Sequence, residues 1–573
     1  MKRCISVLLV LVMALCLLTG CSGAEVKDTV DGAFKAIEET TGNLTQGIKN
    51  KMNAEANTAL EQVRGDAEAR RKAILNSPSD IVKSETFIKG ETYTGTAYYV
   101  SNSGSDYNNG RSPDSAFATA EPFEYISLYP GDAIFFERGG LWRGIEFPGK
   151  IYETEGLTIS AYGEGAKPAF YGSEENGSGS EKWELYHSDA EGRKIWKYYK
   201  DMTELGSIVL NGSQIVRRDI PWWDGSVYQE LNAVHLEPIG EEYDVIKHLP
   251  DMWCFPALDY TEPAPWKESN SAYAGWDDSG WVYRRGPLYF RCDAGNPGEL
   301  YENIEFIQPL TRIDAGAQHV YDNICMMYSD NAIISEQDGI VVQNCEFAWI
   351  GGTVNLYLDE SELEDCIRYS YSPLQRAGEA LNICGSDALV KGNYIHNIFS
   401  KGISSNIYEG GDSVENNLIC ANLIERSAKG IVLNNNDQTP QPGRVFRNII
   451  IEDNIILDSG IDNYLVTERE IAHNSMAFQL EGGPCANENL IVRNNTFALS
   501  EGMLIGIYHY SEEYSKVFEN NIYIQNEGIQ TVFGAHGIWL MNETSEFNHL
   551  LMENEAVEHY LGDHGGKAYI IKH

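Results

Sequence analysis

The chain has 573 residues, 43% of them hydrophobic, and 84 acidic residues against 43 basic ones give a formal net charge of −41. This composition is typical of a folded, soluble protein, and the length allows two or three domains or one long repeat architecture. So acidic a surface repels nucleic acid and anionic lipid, and we therefore expect no nucleic-acid partner. It also disfavours a strongly acidic polysaccharide as ligand, unless a basic groove or a bridging cation offsets the field.

Residues 1–21 have the pattern of a targeting segment. Lys2 and Arg3 precede an apolar run of 14 residues, which is too short for a spanning helix and typical of a signal-peptide core. The run ends in LTGC (18–21), which resembles the bacterial lipobox, in which the Cys is acylated and becomes the mature N-terminus. We therefore predict a lipid anchor at Cys21 and a position on the extracellular face of the membrane of a bacterium, of the Gram-positive type.

Residues 22–80 follow as a spacer rich in Ala, Glu and Lys. Apolar residues recur at steps of three and four, at Val26, Val30, Phe34 and Ile37, which predicts helix. At about 1.5 Å per residue, such a helix would hold the main domain tens of Å from the bilayer. We interpret the spacer as a helical stalk, with a partner-binding coiled coil as the alternative.

The character of the chain changes within 84–170. The stretches YYVSNSGSDYNNGRSPDSAF (98–117) and PGDAIFFERGGLWRG (130–144) resemble the opening turns of bacterial right-handed β-helix proteins that act on polysaccharides. Asp106, Asn108 and Asn109 are candidate calcium ligands. The preferred interpretation is a Gly/Asn/Asp turn that caps the open end of a solenoid.

Residues 171–303 are dense in aromatic side chains and are predicted to form a β-rich insertion. The stretch WVYRRGPLYFRCDAGNPGELYENIEFI (281–307) resembles the segment that returns the chain to the β-helix in the same group of proteins. Aromatic planes stack on the apolar faces of sugar rings, so the insertion is a candidate wall of a carbohydrate groove, although we expect most of its Trp residues in its own core. These are Trp183, Trp196, Trp222, Trp223, Trp253, Trp266, Trp276 and Trp281.

Residues 304–545 contain a short phrase that recurs seven times, and the remaining residues, 546–573, are predicted to be a C-terminal cap. In six of the seven copies the fourth position is Asn, and every copy has apolar residues at its start and after the fourth position. The copies are VYDNIC (320–325), VQNCEF (342–347), VKGNYI (390–395), ICANLI (419–424), IEDNII (451–456), VRNNTF (492–497) and FENNIY (518–523).

A second apolar strand follows most copies of the phrase about ten residues later. Two short strands per repeat, with Asn at the bends, predict the turns of a parallel β-helix, in which stacked Asn side chains hydrogen-bond along a buried corner. The copies are 22 to 48 residues apart, so extra loops are inserted. The long insertions after Trp349, Ile407, Asn434 and Gly460 are candidate walls of a site, because solenoids carry variable loops on their working face.

The stretches VVQNCEFAWIGGTV (341–354) and GEALNICGSDALVKGNYIHNIFSKGISS (378–405) resemble β-helix proteins near glycoside hydrolase family 141. The resemblance spans about 96–525. It implies an all-β, right-handed parallel β-helix of the pectate-lyase-like type, and action on plant cell-wall glycans of the fucosidase or xylanase kind. The chain departs from that group at Asn382 and Lys401, where acids often stand.

Glycoside hydrolysis requires two carboxyl groups, about 5 Å apart for retention of configuration or roughly 6.5–9.5 Å for inversion. Stacked turns of a β-helix lie about 4.8 Å apart, so carboxylates one or two turns apart suit these two cases. Glu481, at a strand end in FQLEGG, is the leading candidate, with Asp437 or Glu409 as its partner. Glu379 and Glu336 are held in reserve.

Strand alternation places Asn434, Gln479 and Glu481 on the outward side of their strands, as it does Asn406. Such a polar stripe suits the hydroxyl groups of a sugar. The predicted substrate-binding residues are Asn382, Asn406, Asn434, Gln479, His473, His509 and Arg376.

Two alternatives to hydrolysis stay open at this point. A non-catalytic glycan-binding surface protein would explain Asn382 and Lys401. A polysaccharide lyase would need a calcium-bound uronate and a basic residue, for which Arg376, Lys401, Lys429 and Arg426 are candidates.

Other chemistries find no support in the sequence, which has no P-loop, dinucleotide fingerprint, HExxH or CxxC motif. We expect no cofactor apart from calcium in the lyase case, and few or no disulfides. The leading prediction is a monomeric, lipid-anchored glycoside hydrolase that acts on a carbohydrate polymer or oligosaccharide.

Overall fold

A computed structural model describes residues 51–218, 249–256, 285–357, 374–407, 413–435, 445–460, 475–482, 486–507, 516–527, 532–534 and 563–571. Its helices are α1 (51–75), α2 (Gly149–Glu153) and α3 (Pro297–Leu300), with short 3-10 turns at Pro113–Ser115, Glu121–Glu124 and Ser180–Lys182. None of the helices in these ranges is both long and apolar enough to cross a bilayer.

The strands fall into three groups along the chain. The opening strands are β1 (Val82–Lys83), β2 (Thr92–Tyr93), β3 (Ala97–Val100), β4 (Ala133–Glu137), β5 (Leu141–Arg143), β6 (Thr158–Tyr162) and β7 (Ala169–Tyr171). The insertion contributes β8 (Trp183–Ser188), β9 (Lys194–Tyr198), β10 (Met202–Thr203), β11 (Ile208–Leu210), β12 (Gln214–Arg218), β13 (Trp253–Pro256), β14 (Arg285–Gly286), β15 (Leu288–Arg291) and β16 (Ile304–Phe306).

The repeat region supplies the remaining strands. They are β17 (Ile313–Asp314), β18 (Val320–Asp322), β19 (Cys325–Met327), β20 (Ile333–Ser335), β21 (Val341–Gln343), β22 (Glu346–Ile350), β23 (Thr353–Tyr357), β24 (Leu374–Ala377), β25 (Glu379–Ile383), β26 (Leu389–Lys391), β27 (Tyr394–Ile398), β28 (Lys401–Ile407), β29 (Val414–Glu415), β30 (Leu418–Cys420), β31 (Leu423–Glu425), β32 (Lys429–Asn435), β33 (Val445–Arg447), β34 (Ile450–Glu452), β35 (Ile455–Ser459), β36 (Met476–Gly482), β37 (Ala486–Glu488), β38 (Leu490–Arg493), β39 (Thr496–Ser500), β40 (Met503–Ile507), β41 (Lys516–Glu519), β42 (Ile522–Asn526), β43 (Val532–Gly534) and β44 (Lys567–Ile571).

Three long sheets of parallel strands form the solenoid, and the chain visits them in turn. Sheet 1 has the order β3-β4-β6-β18-β21-β26-β30-β34-β38-β41, sheet 2 the order β5-β7-β19-β22-β27-β31-β35-β39-β42-β44, and sheet 3 the order β17-β20-β25-β28-β32-β36-β40-β43. The predicted stack of parallel turns is therefore confirmed, while its right-handedness stays a prediction. Strand β44 lies in sheet 2, so part of the predicted C-terminal cap continues the solenoid.

The core consists of apolar side chains that stack in register along the solenoid axis. In sheet 2 the inward row runs Ile395, Ile424, Ile456, Phe497 and Tyr523, one residue per turn. All five are at most 1% exposed, and the rings of Phe497 and Tyr523 stack. In an isolated turn these side chains would be exposed to solvent on both sides along the axis. Stacking of neighbouring turns buries them, and the repeat is therefore needed for stability.

The predicted Asn ladder lies at the buried bend between sheets 1 and 2. The Nδ2 atoms of Asn393, Asn422, Asn454 and Asn495 each donate to the Oδ1 atom of the next ladder Asn, at 2.9 to 3.1 Å. Each also donates to a backbone carbonyl of the preceding turn. These bonds satisfy polar groups that burial would otherwise leave unpaired.

The two ends of the ladder differ from the prediction. Asn521 donates to Asp563, which takes the next ladder place. At the other end, Val320 pairs with Val341, so Asn323 stands opposite Asn344, one residue before the ladder position. Asn323 has a φ of 56°, and its side chain binds the segment that follows α1, where it accepts from Ser77 and donates to the Pro78 carbonyl.

Helix α1 lies against the outer face of sheet 2. Its buried residues, Ala56, Val63, Ala67 and Ile74, share one face and belong to an apolar cluster with Leu423, Ile455, Leu457 and Ile571. The described half of the predicted spacer is therefore a docked part of the fold and does not project as a stalk. The reason is this apolar face, which finds a partner surface on the solenoid.

The insertion forms a seven-stranded sheet in the order β16-β11-β12-β13-β15-β9-β8. Trp183 is buried in its core and Trp196 packs against that core, as expected for most of the Trp residues. The insertion contacts the solenoid through Val209 and Ile307, which pack with Trp349 and Phe399. It leaves the solenoid between β7 and β17, at the bend between sheets 2 and 3.

The opening turn uses its Asp and Asn side chains as turn contacts. Asp106 accepts from the backbone of Ala118 and Thr119, and Asn108 donates to the Ala116 carbonyl. Within the described ranges no group of three or more His, Cys, Asp or Glu is arranged to hold a metal ion. There, six cysteines are free thiols: Cys254, Cys292, Cys325, Cys345, Cys384 and Cys420.

Candidate functional site

Different parts of the chain lie next to the outer faces of the three sheets. Helix α1 covers sheet 2, and Ile81 and Tyr93 cover the first turns of sheet 1. Five connections of the sequence begin or end at strands of sheet 3: 351–378 and 461–474 precede β25 and β36, and 408–412, 436–444 and 508–515 follow β28, β32 and β40. Since loops at one face of a solenoid form its binding sites, sheet 3 is the candidate functional face.

Two outward rows of side chains cross sheet 3 in register. In the first row Asn382, Ser404, Val432 and Gln479 are neighbours on successive strands. In the second row Asn406, Asn434 and Glu481 are neighbours on β28, β32 and β36. The strand register thus agrees with the alternation predicted for Asn406, Asn434 and Gln479, whose side chains share one surface, and it places the backbone of Glu481 beside Asn434.

A continuous hydrogen-bonded network joins β25 to β28 on this surface. Lys401 Nζ donates to Glu379 Oε1 at 2.6 Å, and Ser404 Oγ donates to Glu379 Oε2. Asn406 Nδ2 donates to Asn382 Oδ1 at 2.9 Å and to Ser404 Oγ at 3.3 Å. Glu379, the one acid of the network, thus accepts hydrogen bonds from an ammonium group and a hydroxyl group. The amide groups of Asn382 and Asn406 are held in fixed orientations by their mutual hydrogen bond.

The network is largely withdrawn from solvent. Ser404 and Asn406 are 0% and 3% exposed. The Oδ1 atom of Asn406 accepts no hydrogen bond from the described residues, although a buried acceptor without a donor costs about 1–3 kcal/mol. Asn406 Oδ1 is therefore a buried acceptor that has no donor among the described residues.

Asp330 lies at the edge of sheet 3, at the bend that leads into β20. Its Oδ1 atom accepts from the Asn331 backbone, and Asn331 Oδ1 accepts from the Glu379 backbone at 3.0 Å. Burial raises the pKa of Asp330 to about 6, against a smaller opposing effect of Arg312. The hydrogen bonds thus link a carboxyl group that is partly protonated near neutral pH to the turn that bears Glu379.

Several predicted site residues fall outside the described part of the chain. These are the predicted catalytic residues Asp437 and Glu409, the predicted substrate-binding residues His473 and His509, and the lipidation site Cys21. Glu481 and Arg376 have described backbones, on β36 and β24, but not described side chains. The register makes Asn434 and Asn406 the equivalents of Glu481, so Asp437 and Glu409 each come three residues later along the chain than the position opposite Glu481.

The reserve acids Glu379 and Glu336 are not close partners of Glu481. Strands β25 and β36 are three steps apart in sheet 3, or about 14 Å at 4.8 Å per step. That separation exceeds the roughly 6.5–9.5 Å of an inverting pair. Glu336 follows β20, one strand farther away.

The basic residues considered for a lyase are mostly engaged. Lys401 pairs with Glu379, and Arg426 donates to Asn397 Oδ1. Lys429 stands beside Lys401 in the register of β28 and β32. Lys401 is thus held in an ion pair with Glu379.

Three members of the site were not predicted: Ser404, Cys384 and Asp330. Cys384 Sγ lies 3.0 Å from Asn382 Oδ1 and donates to it. The sequence could have indicated Ser404, because pairing of β25 with β28 places it directly beside Asn382. Asp330 had no sequence signal, since its character comes from burial.

Fold and site together define a parallel β-helix protein with an amide-rich polar surface on sheet 3. Residues 309–477 match the family model described as "Protein of unknown function (DUF1565)". No curated protein matches the chain.

Several solved structures are similar in fold. XylC, solved in complex with xylose, has 14% sequence identity and a TM-score of 0.37, and the match covers 83% of each chain. The GH136 lacto-N-biosidase from Eubacterium ramulus has 12% identity and a TM-score of 0.30 over 89% of this chain and 71% of that one. A tailspike protein mutant of E. coli bacteriophage HK620, in complex with a pentasaccharide, has 11% identity and a TM-score of 0.28 over 40% and 38% of the two chains.

Proposed function

We propose that the outer face of sheet 3 binds a carbohydrate chain and that the protein is a glycoside hydrolase anchored through Cys21 on the extracellular face of a bacterial membrane. The observation that carries the proposal is the buried network of Asn382, Ser404 and Asn406 on neighbouring strands. It lies on sheet 3, whose strands adjoin the long insertions of the sequence.

Amide and hydroxyl side chains suit sugars because each sugar hydroxyl is both a donor and an acceptor. Asn406 presents an Oδ1 acceptor without a donor among the described residues, and its Nδ2 group is fixed by Asn382 and Ser404. A ligand hydroxyl or N–H group that donates to this oxygen would remove the cost of burying it unpaired. Few, precisely held polar groups of this kind set the orientation of a ligand.

The catalytic part of the proposal rests on strand spacing. Glu481 ends β36, and the strands before Asp437 and Glu409, β32 and β28, are its first and second neighbours in sheet 3. These strands lie about 4.8 and 9.6 Å from β36, close to the separations that retaining and inverting hydrolysis require. Asp437 and Glu409 come three residues beyond the positions opposite Glu481, so a pair with Glu481 requires the residues after each strand to bring the carboxyl group back toward β36. Glu481 would pair with one of these two acids, the one acting as acid and the other as nucleophile or base.

The test measures binding and cleavage separately on a panel of plant and host glycans. The natural protein is expected to release reducing ends from at least one glycan, and Glu481→Gln to bind that glycan with unchanged affinity while losing at least 100-fold in kcat. The Asn406→Ala variant is expected to lose affinity by about tenfold or more. Full activity of Glu481→Gln would refute the catalytic assignment, and unchanged affinity of Asn406→Ala would refute the binding face.

A non-catalytic glycan-binding protein is the second candidate, favoured by one observation. The only acid in the described network, Glu379, is bound by Lys401 and Ser404, an arrangement that holds a structure in place. Binding to the panel without any new reducing ends, in the presence or absence of a calcium chelator, would favour this candidate. An unsaturated product that absorbs ultraviolet light would instead identify a lyase.

A further inference from the structure

Helix α1 runs along the solenoid axis, and its contacts show this quantitatively. Arg64 pairs with Asp458 on the turn of Asn454, and Ser77, just past the helix, donates to Asn323. Thirteen residues of helix span about 20 Å, and the four turns from Asn323 to Asn454 span about 19 Å. The agreement requires the helix axis and the solenoid axis to be nearly parallel.

The direction of the helix is opposite to that of the solenoid. Its C-terminal end reaches the first repeat turns at Asn323, and its N-terminal part shares an apolar cluster with Ile524 and Ile571 of the last strands. Residue 51 lies a further 13 residues, or about 20 Å, beyond Arg64. That distance reaches the last described turn, which carries Asp563.

The helix is held along its length by both apolar and ionic contacts. The guanidinium group of Arg71 binds both oxygens of Glu425, at 2.9 and 2.7 Å, and that of Arg64 binds both oxygens of Asp458, at 3.1 and 3.2 Å. Arg70 donates to the backbone carbonyls of Asn422 and Asp453 at the bend. Bidentate pairs of this kind fix geometry as well as adding free energy.

We infer that the anchored protein stands on the bilayer with the C-terminal end of its solenoid toward the lipid and its opening turns pointing away. The inference rests on the lipid anchor proposed above. Only 29 residues, 22–50, separate Cys21 from α1, and α1 begins beside the last turns of the solenoid, so the anchor joins the described fold at that end. The ten strands of sheet 1 span about 43 Å, so the two ends of the solenoid lie at different heights.

This orientation has a consequence for the candidate site. Strands run across the solenoid axis, so the strands of sheet 3 lie parallel to the membrane surface and the polar face opens sideways. A polymer in the surrounding wall or medium would reach this face without passing between the protein and the lipid. The lipid surface is thus a neighbour of the last turns and not of the binding face.

The test measures energy transfer from a donor dye on the protein to acceptor-labelled lipid in vesicles that carry the acylated full-length chain. One donor is attached at Tyr107→Cys in the opening turn and the other at Lys567→Cys on β44, both at exposed positions, with the natural chain as the labelling blank. We expect transfer from position 567 to be at least twofold more efficient than from position 107. Equal transfer, or stronger transfer from position 107, would overturn the orientation.

Two controls test the premises of the orientation separately: the lipid anchor at Cys21 and the docking of α1. Mass analysis of the N-terminal peptide and flotation with vesicles, compared with Cys21→Ser, test the anchor itself. If the natural chain is not acylated and does not float, the anchor and the orientation both fall. The double variant Arg64→Ala/Arg71→Ala is expected to keep flotation but to bring the two transfer efficiencies closer together. An unchanged ratio would show that the helix does not set the orientation.

Discussion

The outer faces of sheets 2 and 3 have the same strand spacing, but sheet 2 presents mainly apolar side chains and sheet 3 presents polar ones. Sheet 2 presents aliphatic side chains such as Leu423 and Ile455, which α1 covers. Sheet 3 presents Asn382, Ser404 and Asn406, which bond to one another and leave one buried acceptor without a donor.

The difference separates a surface that stabilises the fold from a surface that is proposed to bind a ligand. Burial of the aliphatic side chains of sheet 2 contributes about 25 cal/mol per Å², and the charged residues around them are paired. Both surfaces contain polar groups that are costly to bury: Asn406 Oδ1 and, at the edge, the Asp330 carboxyl group on sheet 3, and Arg71 Nε of α1 and the Asp458 carboxyl group on sheet 2. Those of sheet 2 lie at its interface with α1, whereas Asn406 belongs to a network of amide and hydroxyl side chains. Unmet polar groups of this kind are typical of functional surfaces.

The largest expected effect comes from placing a charge beneath α1. Val63 is 4% exposed, so Val63→Asp should lower the free energy of unfolding by about 3 kcal/mol or more, because it removes apolar burial and buries a carboxylate. Urea denaturation measures this loss. Thr58→Asp, on the exposed side of the same helix, is the matched control and should change stability by less than about 0.5 kcal/mol. Equal effects of the two variants would mean that α1 does not cover sheet 2.

A smaller loss is expected where α1 is tied to Glu425. This buried carboxylate accepts from Arg71 and, at 2.9 Å, from the Tyr394 hydroxyl, so Glu425→Ala leaves two donors without a partner and should cost about 2 kcal/mol. Glu68 also pairs with Arg71 but has a 45% exposed side chain, and Glu68→Ala should be nearly neutral. The same denaturation assay ranks the two variants, and the reverse order would contradict the buried interface.

The repeat region was readable from the sequence because its physics is local. The Asn ladder needs one Asn per turn near apolar residues, and six of the seven copies of the phrase show this pattern. The phrase alone did not fix the register, however. Asn323 in VYDNIC matches the other Asn residues by eye, but pairing of Val320 with Val341 shifts it by one residue.

The position of α1 could not be read, because its partners lie far along the chain. An apolar stripe predicts a helix, but nothing near Arg71 points to Glu425, which is 354 residues away. The site shows the same limit. Alternation predicted that Asn406 faces outward, whereas its bond to Asn382 depends on the register of two strands.

The edge of sheet 3 should gain stability when its buried acid is neutralised. Burial raises the pKa of Asp330 from 3.8 to about 6, so the folded state holds this proton more tightly than the unfolded state. Below about pH 4 the Asp330 carboxyl group is protonated in both states and does not destabilise the fold. The stability of the folded state falls as the pH rises from about 4 to about 6, and the loss is constant above that. Asp330→Asn should therefore raise stability at pH 7.5 by about 1–3 kcal/mol, and the gain should vanish near pH 4. Asp80→Asn, at an exposed position, should show no such pH dependence, and a gain that persists at pH 4 would contradict the assignment.

The smallest effect on stability is expected at Asn406, in the centre of the polar face. Its Oδ1 atom has no donor among the described residues, so Asn406→Ala removes that cost together with the bonds to Asn382 and Ser404, and the free energy of unfolding should change by less than about 1 kcal/mol. Asn454→Ala in the buried ladder is the matched comparison, since it breaks bonds to Asn422 and Asn495 and should be clearly destabilising. If Asn406→Ala is as destabilising as Asn454→Ala, sheet 3 is a structural surface like sheet 2. If it is neutral for folding but loses glycan affinity, the amide is kept for its ligand.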